Sequence, residues 1–167
     1  MKKFIFGIAS VFVIAILATA FGNNPDSKKI KIGSQFPSIV LTNTYTTISP
    51  ADNGSQHFTL ITLWTGRDAQ SRLACTEYNN FFKLNPEAAS KIDYAAINFD
   101  RSRTLRDEII RIDGLDANTQ FEADNITAMT LGDALDLDLG MGSMLISPEG
   151  KVVAFNPTVE RLKALID

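Results

Sequence analysis

"HFTLITLWTGRDAQSRLACTEYNNFFKL", residues 57–84, is the stretch on which the fold turns. Its first part, 57–65, is a nearly continuous run of apolar and β-branched residues, the mark of a strand buried on both faces of a sheet. The period then changes. Over 68–84, Ala74, Tyr78, Phe81 and Phe82 recur at helical spacing, Asp68 is a good N-cap residue, and Asn85-Pro86 ends the helix. The stretch predicts a central strand feeding a helix through a tight turn.

Downstream, 91–100 gives a second buried strand and 102–114 an amphipathic helix stopped by Gly114. Strands alternating with helices must lie parallel, joined by right-handed crossovers. Residues 115–125 are polar and poorly periodic and predict a loop with a helical turn, while 126–137 predict a short helix. Two strand runs flank Pro148-Glu149-Gly150 within 142–156, an antiparallel hairpin, and 157–166 close with a helix. Upstream, strand candidates at 37–43 and 45–49 precede a turn at 50–56, where Asp52-Asn53-Gly54 tolerate positive φ. The predicted class is α/β: a mixed central sheet, parallel in the middle with an antiparallel edge, flanked by helices and extended by an N-terminal hairpin.

With 167 residues, 45% hydrophobic and 21% charged, the chain suffices for one domain with a sizeable core. Its formal net charge of −3 and scattered basic residues give no footprint for nucleic acid. The first residues differ in character. Met1-Lys2-Lys3 is a positive start, Phe4 to Leu17 is apolar apart from Gly7 and Ser10, and Ala18-Thr19-Ala20 has the small-x-small pattern of a cleavage site. Residues 1–21 are therefore a signal peptide or an uncleaved membrane anchor over 4–21, and the A-x-A pattern where the apolar run stops favours cleavage. Residues 22–30 form a polar linker around Pro25, and 31–167 form the domain. Either reading exports the domain to the periplasm or cell envelope, with membrane contact only through the N-terminal segment. No cysteine follows the apolar run, which leaves no site for a lipid-modified N-terminal cysteine.

The order of elements, together with two local matches, resembles the thioredoxin-like superfamily, in particular exported thiol-disulfide oxidoreductases of the cytochrome-maturation type and, more distantly, peroxiredoxins. Where that family carries F-W-A-x-W-C-x-x-C-R, this chain has Leu63-Trp64-Thr65-Gly66-Arg67-Asp68-Ala69-Gln70-Ser71-Arg72. Met144-Leu145-Ile146-Ser147-Pro148-Glu149-Gly150-Lys151-Val152 is similar to the family's F-L-I-D-x-E-G-x-I hairpin. The resemblance spans roughly 31–167 and implies the thioredoxin-like fold. It also implies that Asp68 stands where the nucleophilic cysteine would be, Ser71 where the resolving cysteine would be, and Met141 where the cis-proline would fall. Arg72 aligns with the family's arginine.

These exchanges remove the family's chemistry. A cysteine at a helix N-terminus reacts because unpaired N–H groups and the helix dipole stabilise its thiolate. A carboxylate at Asp68 can use the same field to cap the helix, contributing ~1 kcal/mol, but it cannot exchange with a disulfide. Asp68 is therefore expected as an ordinary N-cap, with a polar binding role or general-base role beside Arg72 as the functional alternatives. Cys75 is the single cysteine and cannot form an internal disulfide. It lies seven residues beyond Asp68, ~10 Å along the helix, where the dipole's effect has faded. Its position beside Ala74 and Tyr78 predicts a small buried hydrophobe; a redox thiol is the alternative.

Other constellations are weaker. His57, the one histidine, cannot build a zinc site and is expected as a solvated loop residue. Asp133, Asp136 and Asp138 miss the Ca²⁺-loop spacing and are expected at a helix end. Arg101, Arg103 and Arg106 predict a solvated helix face, with an acidic partner as the alternative. Asn53 and Asn125 fit the glycosylation sequon, which matters only in a eukaryotic secretory route. No phosphate-cradling motif is present, and neither a cofactor nor a metal is expected.

The sequence thus points to an exported, redox-inactive thioredoxin-like module that binds a peptide or an envelope protein. The expected binding loop is Gly140, Met141, Gly142 and Ser143, where glycines permit close backbone approach and Met141 gives an adaptable apolar contact. The alternatives are a monothiol reductase or peroxidase working through Cys75, and a structural role in an envelope complex.

Overall fold

The computed structural model describes residues 29–52, 56–135 and 141–166. Two short strands come first, β1 (Leu41–Thr42) and β2 (Thr47–Ile48), paired antiparallel. Asn43 Oδ1 closes their turn by accepting the Tyr45 and Thr46 N–H groups at 2.8 and 2.9 Å. The expected N-terminal hairpin exists, but with far shorter strands than 37–43 and 45–49. Phe36, Ile39 and Leu41 explain why: all three are buried against the main sheet, so packing rather than a long ladder holds the segment. Of the predicted turn, residues 53–55 lie outside the described residues.

The remaining elements are β3 (Phe58–Trp64), α1 (Ala69–Leu84), β4 (Ile92–Asn98), α2 (Arg103–Asp113), β5 (Gln120–Glu122), α3 (Asn125–Ala134), β6 (Ser143–Ile146), β7 (Val152–Phe155) and α4 (Val159–Ile166). Five of the strands form one sheet in the order β5-β4-β3-β6-β7. β3, β4 and β5 run parallel, β6 is antiparallel to β3, and β7 is antiparallel to β6. β3 sits in the middle, in register with β4 from Phe58↔Ile92 to Trp64↔Asn98. That place explains its composition, since a strand covered on both faces has no solvent side on which polar residues would be favoured.

Helices cover both faces. Cys75, Tyr78 and Phe81 of α1, Ile109 of α2 and Leu162 of α4 pack with Leu60, Trp64, Tyr94 and Leu145. On the opposite face, Leu131 of α3 and the N-terminal Phe36, Ile39 and Leu41 pack on Ile61, Leu63, Ile97 and Ile146. Each fully buried Leu or Ile contributes ~1.5–3 kcal/mol. α1 and α2 share a face because both follow parallel crossovers stepping in the same direction, β3 to β4 to β5.

The helix ends follow their sequences. Ser102 Oγ accepts the Leu105 N–H at 3.2 Å, and Gly114 closes α2 in the left-handed conformation, φ 64°. Asp124 Oδ1 caps α3 by accepting the Thr127 N–H at 2.7 Å. The stretch 115–125 departs from expectation. It holds the expected helical turn, a 3₁₀ turn at Ala117–Thr119, but continues into the strand β5. Three residues with the single large apolar Phe121 are too short for a period to show, and Phe121 is 1% exposed because the sheet, not the local sequence, buries it.

Among the described residues no helix is long and apolar enough to cross a membrane. The candidate anchor at 4–21 lies outside them, as do the rest of 1–21 and residues 22–28 of the predicted linker.

Candidate functional site

The site is built at the end of β3, where Thr65-Gly66-Arg67-Asp68 turns the chain into α1. Asp68 has extended backbone angles, φ −96° and ψ 100°, and its Oδ1 accepts the Gln70 N–H at 3.1 Å. It is the N-cap, as expected. Its main-chain carbonyl also accepts the Arg72 N–H at 3.1 Å and the Ser71 hydroxyl at 3.0 Å. Ser71 is 3% exposed, and its Oγ lies 3.4 Å from the Thr65 N–H. The side chain at the resolving-cysteine position is thereby tied into the turn.

Gly66 and two residues of β4's end, which the sequence reading did not single out, fix this turn. The Gly66 N–H donates to Asp100 Oδ2 at 2.7 Å, and Asn98 holds Asp100 by donating from Nδ2 at 2.9 Å while accepting the Asp100 N–H at 3.0 Å. A Cβ on Gly66 would collide with Ile109 Cδ1 and lie 3.2 Å from Asp100 Oδ2. A side chain at 66 would require Ile109 to shift. The clue in the sequence was a glycine placed between the strand and its N-cap; nothing local pointed to Asn98 or Asp100.

Arg72 does not serve Asp68. Its guanidinium makes a two-pronged pair with Asp113, Nε to Oδ2 at 2.9 Å and Nη2 to Oδ1 at 2.7 Å, clamping α1 to the end of α2. The arginine that the sequence places near Asp68 is thus paired with Asp113.

Cys75 is 0% exposed in the core between α1 and the sheet. Burial pushes its thiol up to about 12; the adjacent Tyr94 hydroxyl opposes this and the Asp113 charge adds to it. That hydroxyl makes no hydrogen bond of standard geometry, to the thiol or to any other group, and the buried Trp64 Nε1 is likewise unpartnered among the described residues. A thiol in such a setting carries almost no thiolate at neutral pH and meets no solvent.

Of the expected binding loop, Gly140 lies outside the described residues, and 141–143 lie beside the same end of β3. The Gly142 carbonyl accepts the Leu63 N–H at 3.0 Å. Ser143 is absorbed into the sheet: its Oγ lies 3.0 Å from Thr62 Oγ1, its N–H donates to Asn156 Oδ1 at 2.7 Å, and its carbonyl accepts the Asn156 N–H at 2.7 Å. Asn156 makes both contacts from a left-handed backbone, φ 43°. Met141 and Gly142 remain half-buried, Met141 packing in part on the core beneath α3. The peptide bonds among the described residues are all trans.

The residues outside this site also found their places. His57 is partly exposed ahead of β3, with Nδ1 3.8 Å from Asp93 Oδ1, so it is not the merely solvated residue expected. Arg103 and Arg106 each donate to Glu122 Oε2 at 2.9 Å, and Arg106 also pairs with Asp107 at 2.7 Å. The two arginines thus link α2 to β5, Arg103 from the solvated face expected of it. Asp133 lies in the last turns of α3, whereas Asp136 and Asp138 are outside the described residues. No group of three His, Cys, Asp or Glu side chains among the described residues is placed to hold a metal ion.

No protein-family model matches the sequence, and no curated protein matches it significantly. Solved structures do. A thioredoxin-like protein from Parabacteroides distasonis superposes with a TM-score of 0.67 at 27% identity, over 83% of this chain and 96% of that one. The thioredoxin domain of a thiol-disulfide oxidoreductase from Bacteroides vulgatus gives 0.64 at 18%, over 81% and 95%. A thiol:disulfide interchange protein from a Bacteroides species gives 0.61 at 17%, over 81% and 87%. The fold is thioredoxin-like. Within it, this chain lacks the paired cysteines, and its single cysteine is the buried Cys75.

Proposed function

We propose that this chain is an exported thioredoxin-like domain without dithiol chemistry, which binds an extended peptide or a partner protein in the cell envelope beside Met141 and Gly142. The observation that carries the reading is the make-up of the helix start. A carboxylate caps it, a buried serine lies beneath, and the one thiol is sealed two turns away with its pKa near 12. What survives is the scaffold at the carboxyl ends of the parallel strands, the usual place for ligands in open α/β sheets. Backbone at 141–142 lies beside that end of β3, where the Gly142 carbonyl accepts the Leu63 N–H.

The monothiol alternative requires Cys75 to reach a substrate disulfide or peroxide, and its complete burial and high pKa both oppose this. Export rests on the N-terminal run at 4–21 and its A-x-A end. Cell fractionation with mass spectrometry of the mature N-terminus tests it; a cytoplasmic protein retaining Met1 and that segment would refute export. Two assays test the activity together. The folded protein is expected to reduce no insulin disulfide and consume no peroxide. Extended peptides are expected to shift the amide resonances of Met141 and Gly142, an effect weakened by M141D. Turnover abolished by C75S would refute the reading in favour of the enzyme. A stable complex captured from the envelope, with no peptide response, would favour the structural role.

A further inference from the structure

β5 stops too soon to cover β4. It pairs with Ala96–Asn98, and among the described residues Ile92–Ala95 has no strand neighbour on that side. The space left over is an open cavity of about 790 Å³, bounded by the hairpin at Thr46–Ser49, the last turns of α1 and the loop after α2. Its size falls within the ~300–1,000 Å³ of small-ligand sites. It belongs to the end of the sheet opposite the Asp68 turn, since it is met by Phe82 and Lys83 rather than by the start of α1, and by the first residues of β4 rather than its last.

Two features give this cavity a chemical preference. The partly exposed Phe82 lines it and has one ring face stacked on Tyr94, with centroids 5.2 Å apart and planes 17° apart. Three carboxylates, Asp52, Asp93 and Asp116, also line it, against the single ammonium of Lys83. Asp116 uses Oδ1 to accept the Asn118 N–H at 3.0 Å, and Asp93 lies 3.8 Å from His57; a carboxylate's several lone-pair sites allow further donors to each. An anion would meet repulsion, and a cation would be attracted.

We propose that this cavity binds a ligand carrying an ammonium or guanidinium group on an apolar stem, the stem lying against Phe82 and the cation among the three carboxylates. The same chemistry is found in a free polyamine and in a lysine or arginine side chain of a peptide. Amide resonances of the full-length protein are to be followed during titration with spermidine, with acetyl-Gly-Arg-Gly-amide, and with diacetylputrescine as an uncharged control. Saturable shifts at Thr47, Phe82 and Asn118 are expected from at least one cationic probe and not from the control. A response to spermidine alone identifies a free amine as the ligand, and a response to the peptide alone identifies a basic side chain. D93N and D116N should each weaken binding about fivefold, and K83Q should tighten it by a similar factor. Asparagine can still cap at position 116, so D116N tests charge and not folding. Absence of saturation by either cation, an equal response to the control, or affinities unmoved by all three variants would overturn the proposal.

Discussion

Replacing Asp68 by alanine isolates the role of the carboxylate at the helix start. Four hydrogen bonds involve this residue, but three of them use its main chain and survive substitution by alanine: its carbonyl accepts from the Arg72 N–H and the Ser71 hydroxyl, and its N–H donates to the Thr65 carbonyl. Only the bond from the Gln70 N–H at 3.1 Å depends on the side chain. The loss is therefore that of one N-cap, ~1 kcal/mol within a range of about 0.5–2. For a chain of 167 residues, that lowers Tm by roughly 2–4 °C. D68N keeps an oxygen acceptor and loses only the attraction between charge and helix dipole, ~0.3–1 kcal/mol at a partly exposed position. Urea denaturation of the three proteins should rank them wild type, D68N, D68A, with unchanged slopes. A D68A protein as stable as wild type would show that Asp68 does not cap α1. A D68N protein falling as far as D68A would show that the charge, not the hydrogen bond, is what the site uses.

G66A should destabilise by about 1–3 kcal/mol through overpacking against Ile109, measured by the same denaturation; a neutral effect would mean the turn is not held as tightly as the contacts indicate. Y94F removes a buried hydroxyl that makes no hydrogen bond of standard geometry among the described residues and only adjoins the Cys75 thiol, so it should leave stability unchanged or raise it by up to ~1 kcal/mol, whereas a marked loss would show that the hydroxyl is held by a stronger contact. The Asp124 carboxyl is held below its ordinary range chiefly by the Thr127 N–H. Because the unfolded chain takes up that proton more readily, the stabilisation is complete at neutral pH and is lost as pH falls below about 4. D124N should flatten the acid limb of the stability profile, and an unchanged limb would contradict the cap.

The sequence carried the central architecture because its long elements keep one period throughout. β3 and β4 are largely apolar or β-branched runs, α1 has Asp68 in front and Asn85-Pro86 behind, and α2 ends on a glycine that adopts the left-handed conformation. β5 escaped because its three residues are buried by neighbours distant in sequence. The N-terminal segment read as strands because burial of Phe36, Ile39 and Leu41 leaves the same apolar signature whether a chain pairs or only packs. At the site, Asp68 and Cys75 were legible from position along one helix. Partners of the charged and polar groups were not: Arg72 finds Asp113 only once α2 folds onto α1, and Gly66 finds Asp100 only once β4 pairs with β3. Ser143 likewise read as a free loop residue, although its pairing with Thr62 and Asn156 makes it part of the sheet.

The most direct test is the rate at which Cys75 reacts with a thiol reagent in the native protein at neutral pH, set against the rate in denaturant. A buried thiol with its pKa near 12 predicts one thiol that reacts promptly on unfolding and almost not at all before it. Native labelling as fast as in the unfolded chain would mean that the thiol is open to solvent and that this domain has kept a reactive sulfur.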